Sequence, residues 1–119
     1  MSKFSWKKKT AMYIGRFQPF HDGHKFMFLK ALKKNNQVCI LIMDSYGVNK
    51  KNPFKFNVVK KKIDKALYKY KNNYIIIKIP VVSEVIYGRK VGYKINKYSL
   101  PKNIEKISAT KIRKKIIKR

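Results

Sequence analysis

The stretch "TAMYIGRFQPFHDGHKFMFLKALKKNNQVCILIMD", Thr10–Asp44, decides the fold of this chain. Its first part, Thr10–Gly15, predicts a short strand that ends at a glycine. A helical pattern follows, in which Phe28 and Leu32 lie on one face. Val38–Asp44 is apolar and rich in β-branched residues, which is typical of a strand buried on both faces. The stretch therefore predicts a strand, a helix and a second strand.

The rest of the chain continues this alternation. Apolar residues at helical spacing predict a second helix between Phe56 and Leu67, and Tyr74–Pro80 predicts a third strand. The sequence ends in a basic segment that predicts a C-terminal helix. Alternating strands and helices favour a parallel sheet with right-handed crossovers. We predict a small Rossmann-like α/β fold, a β-α-β-α-β core flanked by helices, with residues 1–9 as a flexible basic lead and 10–119 as one domain.

The composition is that of a chain that buries a core. Of the 119 residues, 45% are hydrophobic and 13% aromatic. No apolar run approaches the roughly 20 residues that span a bilayer, and the N-terminal residues lack the apolar region of a signal peptide. The single cysteine, Cys39, fits a reducing compartment. We expect a cytoplasmic protein without a membrane partner.

The net charge of +26 is extreme, and it has two interpretations. One is a polyanionic partner such as nucleic acid or nucleotides. The other is compositional drift, because lysine, asparagine, isoleucine, tyrosine and phenylalanine are all favoured by A/T-rich codons. The lysines are spread along the chain rather than collected in one tail. Nucleic acid is therefore expected to bind only through non-specific charge.

Two histidines, His21 and His24, lie where the first strand turns into the first helix. A helix N-terminus offers unpaired N–H groups and a positive dipole end, which suits a phosphate. Two imidazoles at that point can donate hydrogen bonds to phosphate oxygens, and Gly23 lets a ligand approach the backbone. The alternatives are a structural turn and a zinc site, but zinc needs three or four ligands.

Two motifs carry a resemblance to a known superfamily. "GRFQPFHDGH", Gly15–His24, resembles the HxGH signature of the nucleotidyltransferases, which include cytidylyltransferases and nicotinamide-mononucleotide adenylyltransferases. "ISATKIR", Ile107–Arg113, resembles their second signature. The two motifs occur in the expected order at the two ends of the α/β pattern. Taken alone, the second motif would also fit a simple helix cap.

The resemblance implies a role for each matching residue. His21, His24 and Arg113 would be catalytic, with the two histidines stabilising the transition state at the α-phosphate of a nucleoside triphosphate. The residues that would bind the nucleotide and its phosphates are Gly15, Arg16, Phe17, Gly23, Ser108 and Thr110. The substrate would be ATP or CTP, with ATP favoured by the "GRFQP" form. Mg²⁺ would be carried by the triphosphate, so no protein metal site is expected.

The acceptor side is less well defined by the sequence. Asp44 ends the second strand and is a candidate for a ribose hydroxyl. An aromatic and basic cluster after the third strand adds Tyr87, Arg89 and Tyr93 as candidates for a small anionic acceptor. About two dozen residues, Pro80–Lys106, separate the third strand from the second signature, fewer than in larger relatives. The pocket wall is then abbreviated or supplied by another subunit, as in a homodimer.

Three functions are compatible with these features. The first is a nucleotidyltransferase that moves a nucleoside monophosphate, AMP rather than CMP, to a phosphorylated small acceptor and releases pyrophosphate. The second is a basic nucleic-acid-binding domain on the same fold. The third is a nucleotide-binding domain without turnover. The first is favoured because it uses both motifs.

Overall fold

The computed structural model describes residues 3–44, 53–89 and 92–98. The predicted order of strands and helices is confirmed, whereas the predicted basic C-terminal helix lies outside the described residues. In chain order the elements are β1 (Ala11–Gly15), α1 (Asp22–Asn35), β2 (Val38–Met43), α2 (Phe56–Ala66), a 3₁₀ turn (Tyr68–Tyr70) and β3 (Tyr74–Ile79). Within these described ranges, no helix is long and apolar enough to cross a membrane.

The three strands form one parallel sheet with β2 in the middle. Gly15 of β1 pairs with Ile42 of β2, and Met43 of β2 pairs with Ile79 of β3. The carboxyl ends of all three strands therefore meet at one edge of the sheet. Both helices begin after loops that leave this edge, and open α/β sheets bind ligands there.

The core lies between the sheet and the two helices. The middle strand contributes alternate residues, and each helix contributes residues three or four apart, as the periodicities of a strand and a helix require. Burying each valine, isoleucine, leucine or phenylalanine side chain of this core stabilises the fold by about 1.5–3 kcal/mol. The buried members from these three elements are Val38, Ile40, Ile42, Phe28, Ala31, Val59 and Ile63, with Leu67 just after α2.

The opposite face of the sheet is entirely apolar in the described strands. Its positions are Met12, Ile14, Cys39, Leu41, Met43, Ile75, Ile77 and Ile79. Met12 and Ile14 on β1 are 60% and 38% exposed. Strands that are apolar on both faces read as continuous hydrophobic runs, which explains why the sequence showed no alternation in β2 and β3.

The helix boundaries depart from the sequence pattern by small amounts. Helix α1 begins at Asp22, before the first residue of the apolar pattern, because His21 caps it. It ends at Asn35 and is followed by the C-cap Asn36, whose positive φ of 68° is the left-handed conformation that terminates helices. Helix α2 follows Lys55, which provides no side-chain cap. Ala66, which continues the helical spacing of Val59 and Ile63, is exposed at the end of α2.

The described part of the predicted flexible lead, residues 3–9, is anchored to the sheet. The buried side chain of Gln37, which precedes β2, accepts from the Ser5 N–H at 3.0 Å and donates to the Ser5 carbonyl at 2.7 Å. It also donates to the Thr10 hydroxyl at 2.6 Å. A buried amide needs such partners, so this glutamine fixes the course of the lead.

Candidate functional site

The side chains of both histidines accept hydrogen bonds from backbone N–H groups at the start of α1. The Gly23 N–H donates to Nδ1 of His21 at 3.0 Å, and the His21 N–H donates to Nδ1 of His24 at 3.2 Å. This reciprocal pattern is a capping box made by histidines in place of the usual hydroxyl and carboxylate. It satisfies two N–H groups and holds both rings at the carboxyl edge of the sheet.

The cap also defines which ring nitrogen carries the proton. A neutral imidazole has one donor and one acceptor nitrogen. Because Nδ1 accepts in both His21 and His24, the proton of each ring lies on Nε2. Neither Nε2 has a hydrogen-bond partner among the described residues. The site therefore presents two Nε2–H donors, stacked with their ring centroids 3.9 Å apart.

Aromatic rings fix the position of His24. Phe20 stacks on it with the centroids 5.5 Å apart, and Phe17 meets it edge-on at 4.9 Å. Phe17 is itself packed edge-on against Tyr13 of β1 at 5.1 Å. His24 is thus enclosed by rings on several sides. A donor held in this way needs little reorganisation when charge develops on a ligand.

Both histidines are held in the neutral form. Burial first, and the neighbouring His21 second, together lower the pKa of His24 to about 3. Burial also lowers the pKa of His21, although the carboxylate of Asp22 opposes this effect. The desolvated charged form is disfavoured in each case. Near neutral pH, these groups act as neutral hydrogen-bond donors and not as cations.

Gly15 is required by the close approach of Phe17. A Cβ atom at Gly15 would lie 2.8 Å from Cζ of the Phe17 ring, closer than real Cβ contacts. Phe17 is 2% exposed and has a positive φ of 54°. Its ring therefore supports His24 from within the core, and only its backbone can reach a ligand. Gly23, also predicted in the site, is buried in the first turn of α1.

Gln18 is a residue of this region that sequence reasoning missed. Its buried side chain donates to the carbonyl of Phe54 at 3.0 Å and accepts from the N–H of Phe54 at 2.9 Å. This pair of bonds ties the loop before α2 to the loop that carries the histidines. Pro53 precedes the N-cap Lys55 of α2 by two residues. No periodicity signals such a clamp, because both partners lie in loops.

Asp44 lies at the carboxyl edge, as its position after β2 predicted. Its carboxylate forms a salt bridge of 3.1 Å with Lys78 of β3. The Asp44 N–H donates to the carbonyl of Ile79 at 2.9 Å, which extends the pairing of β2 and β3 by one residue. The predicted role with a ribose hydroxyl must therefore be shared with this ion pair.

The aromatic cluster after β3 is partly assembled. The rings of Tyr87 and Tyr93 meet edge-on with centroids 5.9 Å apart, and Gly92 between them has a φ of +81°. Both tyrosines and Arg89 are exposed. The Val82 N–H contacts Sδ of Met43 at 3.4 Å, which holds the start of this segment against the end of β2. Among the described residues, no hydrogen bond, ion pair or ring contact joins this cluster to the histidines.

The remaining predicted residues are placed only in part. Arg16 is exposed directly after β1. Ser108, Thr110 and Arg113 of the second motif lie outside the described residues. In residues 3–44, 53–89 and 92–98, no group of three or more His, Cys, Asp or Glu side chains is arranged to hold a metal ion. Cys39 is buried and its thiol is unpaired.

The fold and the histidine cap together define the class of this protein. Residues 12–78, more than half of the chain, match the family model described as cytidylyltransferase-like. The chain belongs to this family, which confirms the resemblance to the nucleotidyltransferase superfamily.

The chain is similar to individual members that are adenylyltransferases. It is 43% identical over 51 residues to a nicotinamide-nucleotide adenylyltransferase from Thermoplasma acidophilum, which covers 42% of this chain and 28% of that protein. It resembles the crystal structure of a bifunctional NMN adenylyltransferase/ADP ribose pyrophosphatase from Francisella tularensis, with a TM-score of 0.57 and 32% identity. The match covers 62% of this chain and 23% of that one. A second structure of that enzyme contains AMP and a manganese ion.

These matches extend over a limited part of the relatives. The chain spans about a quarter of the length of each relative that it matches. The family match over residues 12–78 runs from the second residue of β1 through α1, β2 and α2 to the penultimate residue of β3.

Proposed function

We propose that this chain transfers a nucleoside monophosphate from a nucleoside triphosphate to a phosphorylated small-molecule acceptor. A phosphate oxygen of the acceptor attacks the α-phosphorus, the bond from that phosphorus to the β-phosphate breaks, and pyrophosphate leaves. The observation that carries the proposal is the reciprocal cap of His21 and His24, which directs two Nε2–H donors from a helix start at the carboxyl edge. Donors placed in advance stabilise the charge that develops in such a reaction.

ATP and a nicotinamide mononucleotide are the first pair of substrates to test. The relatives named above are adenylyltransferases for that nucleotide, and the "GRFQP" motif favours ATP. A divalent ion, Mg²⁺ by our prediction, would enter with the triphosphate and neutralise its charge. The manganese ion in the Francisella tularensis structure supports a divalent ion in this family.

Other residues complete the proposed site. Arg16, which is exposed directly after β1, would meet a phosphate, and the second motif, Ser108–Arg113, would hold the β- and γ-phosphates. Lys78 and Asp44 form the polar end of the neighbouring strands. That the exposed residues Tyr87, Arg89 and Tyr93 bind the acceptor stays a prediction. A cytoplasmic location and a homodimer are part of the same proposal, and the mass of the chain in solution tests the second.

A pyrophosphate-release assay tests the proposal. ATP and CTP are each combined with nicotinamide mononucleotide and with other phosphorylated acceptors. We expect release with at least one pair. The variant His24→Asn should lower the rate by roughly 10²–10³-fold, the loss typical of one transition-state donor. Asparagine places an oxygen where Nδ1 lies, so it retains the cap while it removes the Nε2–H donor.

The matched control is His24→Gln, which extends an amide toward the Nε2 position and loses the Nδ1 acceptor. It should be less stable than His24→Asn and retain more activity per folded molecule. Nucleotide binding without pyrophosphate release by the wild-type chain would instead indicate a binding domain. Equal rates for the wild type and His24→Asn would remove the histidines from the mechanism.

A further inference from the structure

The amino edge of the sheet, opposite the histidines, combines exposed aromatic rings with lysines. The strands β1, β2 and β3 begin there in register, and α1 and α2 end there because they run back from the carboxyl edge. We call this surface the basic edge and define it by Trp6, Lys7–Lys9, Lys33, Lys65, Tyr68 and Lys71, all of which are exposed. The basic edge shares no residue with the proposed active site.

The turn that carries Trp6 is held in place at both ends. The Lys8 N–H donates to the Ser5 carbonyl at 3.2 Å, which closes a turn over Trp6 and Lys7. Gln37 binds the Ser5 backbone through two hydrogen bonds and the Lys8 carbonyl at 3.3 Å. The exposed indole is thus presented by a fixed backbone. A ligand that stacks on it would not have to order this turn.

Two rings of the basic edge are left uncovered by the packing of the described residues. Trp6 is 84% exposed and contacts Phe4 edge-on, with the centroids 6.0 Å apart. It is the single tryptophan of the sequence. Tyr68 is 66% exposed, with Nζ of Lys71 4.9 Å from its ring centroid. A/T-rich codons favour lysine and tyrosine but not tryptophan, so compositional drift does not account for Trp6.

The charge at this edge is unbalanced. Four acids occur in the described ranges, and two of them, Asp22 and Asp44, lie at the carboxyl edge. Asp64 of α2 is near the basic edge, but it accepts from the Tyr74 hydroxyl at 2.7 Å and from Lys60 at 3.3 Å. None of the lysines that define the basic edge forms a salt bridge with a described acid. The edge therefore attracts polyanions.

We propose that the basic edge binds single-stranded nucleic acid. Bases stack on the rings of Trp6 and Tyr68, and the lysines contact the phosphates, which is how strands without a fixed sequence are bound. A duplex hides its bases and would leave both rings without partners. A lipid surface is a poorer fit, because membrane-surface segments present a continuous apolar helix face. Here the rings stand on a short turn and a 3₁₀ turn, separated by lysines.

Fluorescence of Trp6 tests the proposal directly, because no other tryptophan contributes to the signal. We expect a single strand of roughly 12 thymidine nucleotides to quench the emission. ATP, which should bind at the opposite edge, should not. Affinity measured by anisotropy of the labelled strand should fall steeply with added salt. Trp6→Leu should weaken binding by roughly 5- to 100-fold, and Trp6→Phe by less, since phenylalanine retains a stacking surface.

Matched charge variants distinguish a binding site at the basic edge from general attraction between the basic chain and the nucleic acid. Lys7→Gln with Lys9→Gln removes two charges from the basic edge, whereas Lys25→Gln with Lys55→Gln removes two at the carboxyl edge. The first pair should weaken binding several-fold more than the second, with melting temperatures confirming that all variants fold. Equal losses, an absence of quenching by the strand, or tighter binding to a duplex or to phosphatidylserine vesicles would each overturn the proposal. The pyrophosphate-release assay is independent of this result.

Discussion

At the scale of single residues, the site depends on atoms that the two histidines share with the backbone. Nδ1 of His21 and Nδ1 of His24 both accept backbone N–H groups, so protonation of either ring removes a bond of the cap. The same residues are therefore needed for folding and for the proposed chemistry. The variants His21→Asn and His24→Asn separate these two roles, because the asparagine oxygen can accept the N–H in place of Nδ1 and asparagine is also a good residue at the N-cap position of His21.

The first prediction concerns the stability of the fold in acid. The pKa of His24 is about 3 in the folded chain and near its usual 6.5 when unfolded, so the unfolded state binds more protons between these values. The free energy of unfolding should decline as the pH falls through this window and should be fully present above about pH 6.5. Urea unfolding at pH 7.5, 6.5 and 5.5 measures the decline. His24→Asn should flatten it, and an unchanged slope in that variant would contradict the prediction.

The second prediction concerns Gly15. A Cβ atom there would lie 2.8 Å from the Phe17 ring, and this ring cannot move without disturbing His24. Gly15→Ala should destabilise the fold by about 1–3 kcal/mol, the usual cost of overpacking. Gly88→Ala is the control, because nothing lies within 4 Å of a Cβ atom at that position. Chemical denaturation measures the free energy of unfolding of both variants. Equal stabilities would show that the Phe17 ring shifts at little energetic cost.

At the scale of elements, the loop before α2 is positioned by the loop before α1. Gln18 forms two hydrogen bonds with the backbone of Phe54, as one strand residue does with another. Lys62 of α2 lies over the Phe54 ring with Nζ 4.5 Å from the centroid. The segment just before α2 is thus tied to the loop that carries the histidines.

The third prediction follows from this clamp. Gln18→Met removes both hydrogen bonds and leaves the Phe54 backbone without them, which should cost about 1–3 kcal/mol of stability. Because the loop is also released from the histidines, KM for the acceptor should rise. Gln37→Met is the matched control, since Gln37 is an equally buried glutamine that anchors the lead at the opposite edge. It should lose stability with KM unchanged. Parallel effects on KM in both variants would argue for a purely structural role of Gln18.

At the scale of the whole molecule, charge dominates the behaviour in solution. A chain of 119 residues with a net charge of +26 repels itself at low salt. Lysine stems offset part of this by lying over aromatic rings, as Lys30 does over Tyr98 with Nζ 4.9 Å from the ring centroid. Anions that bind the folded state should therefore have large effects on its stability.

The fourth prediction tests ligand binding through stability. ATP and pyrophosphate should raise the melting temperature, because a ligand at about 100 times its Kd adds about 2.7 kcal/mol to the free energy of unfolding. Adenosine at the same concentration is the control, since it lacks the phosphates that the histidines would bind. Differential scanning fluorimetry at constant ionic strength measures the shift. Equal shifts with sodium sulfate and with ATP would indicate general screening of charge and not a nucleotide site.

Local sequence determined the strands, the helices and the family of this protein. Apolar runs such as Val38–Met43 and the helical spacing of Val59 and Ile63 are properties of neighbouring residues, and a parallel sheet follows from their order. The motif at Gly15–His24 placed the histidines at a helix start for the same reason. The tertiary structure alone decided the contacts between distant segments, because two loops or a lead and a strand carry no shared period. The tertiary structure brings Gln18 into hydrogen-bonding contact with Phe54 and the N-terminal lead into contact with Gln37. It also places Trp6 and Tyr68 at the edge opposite the histidines.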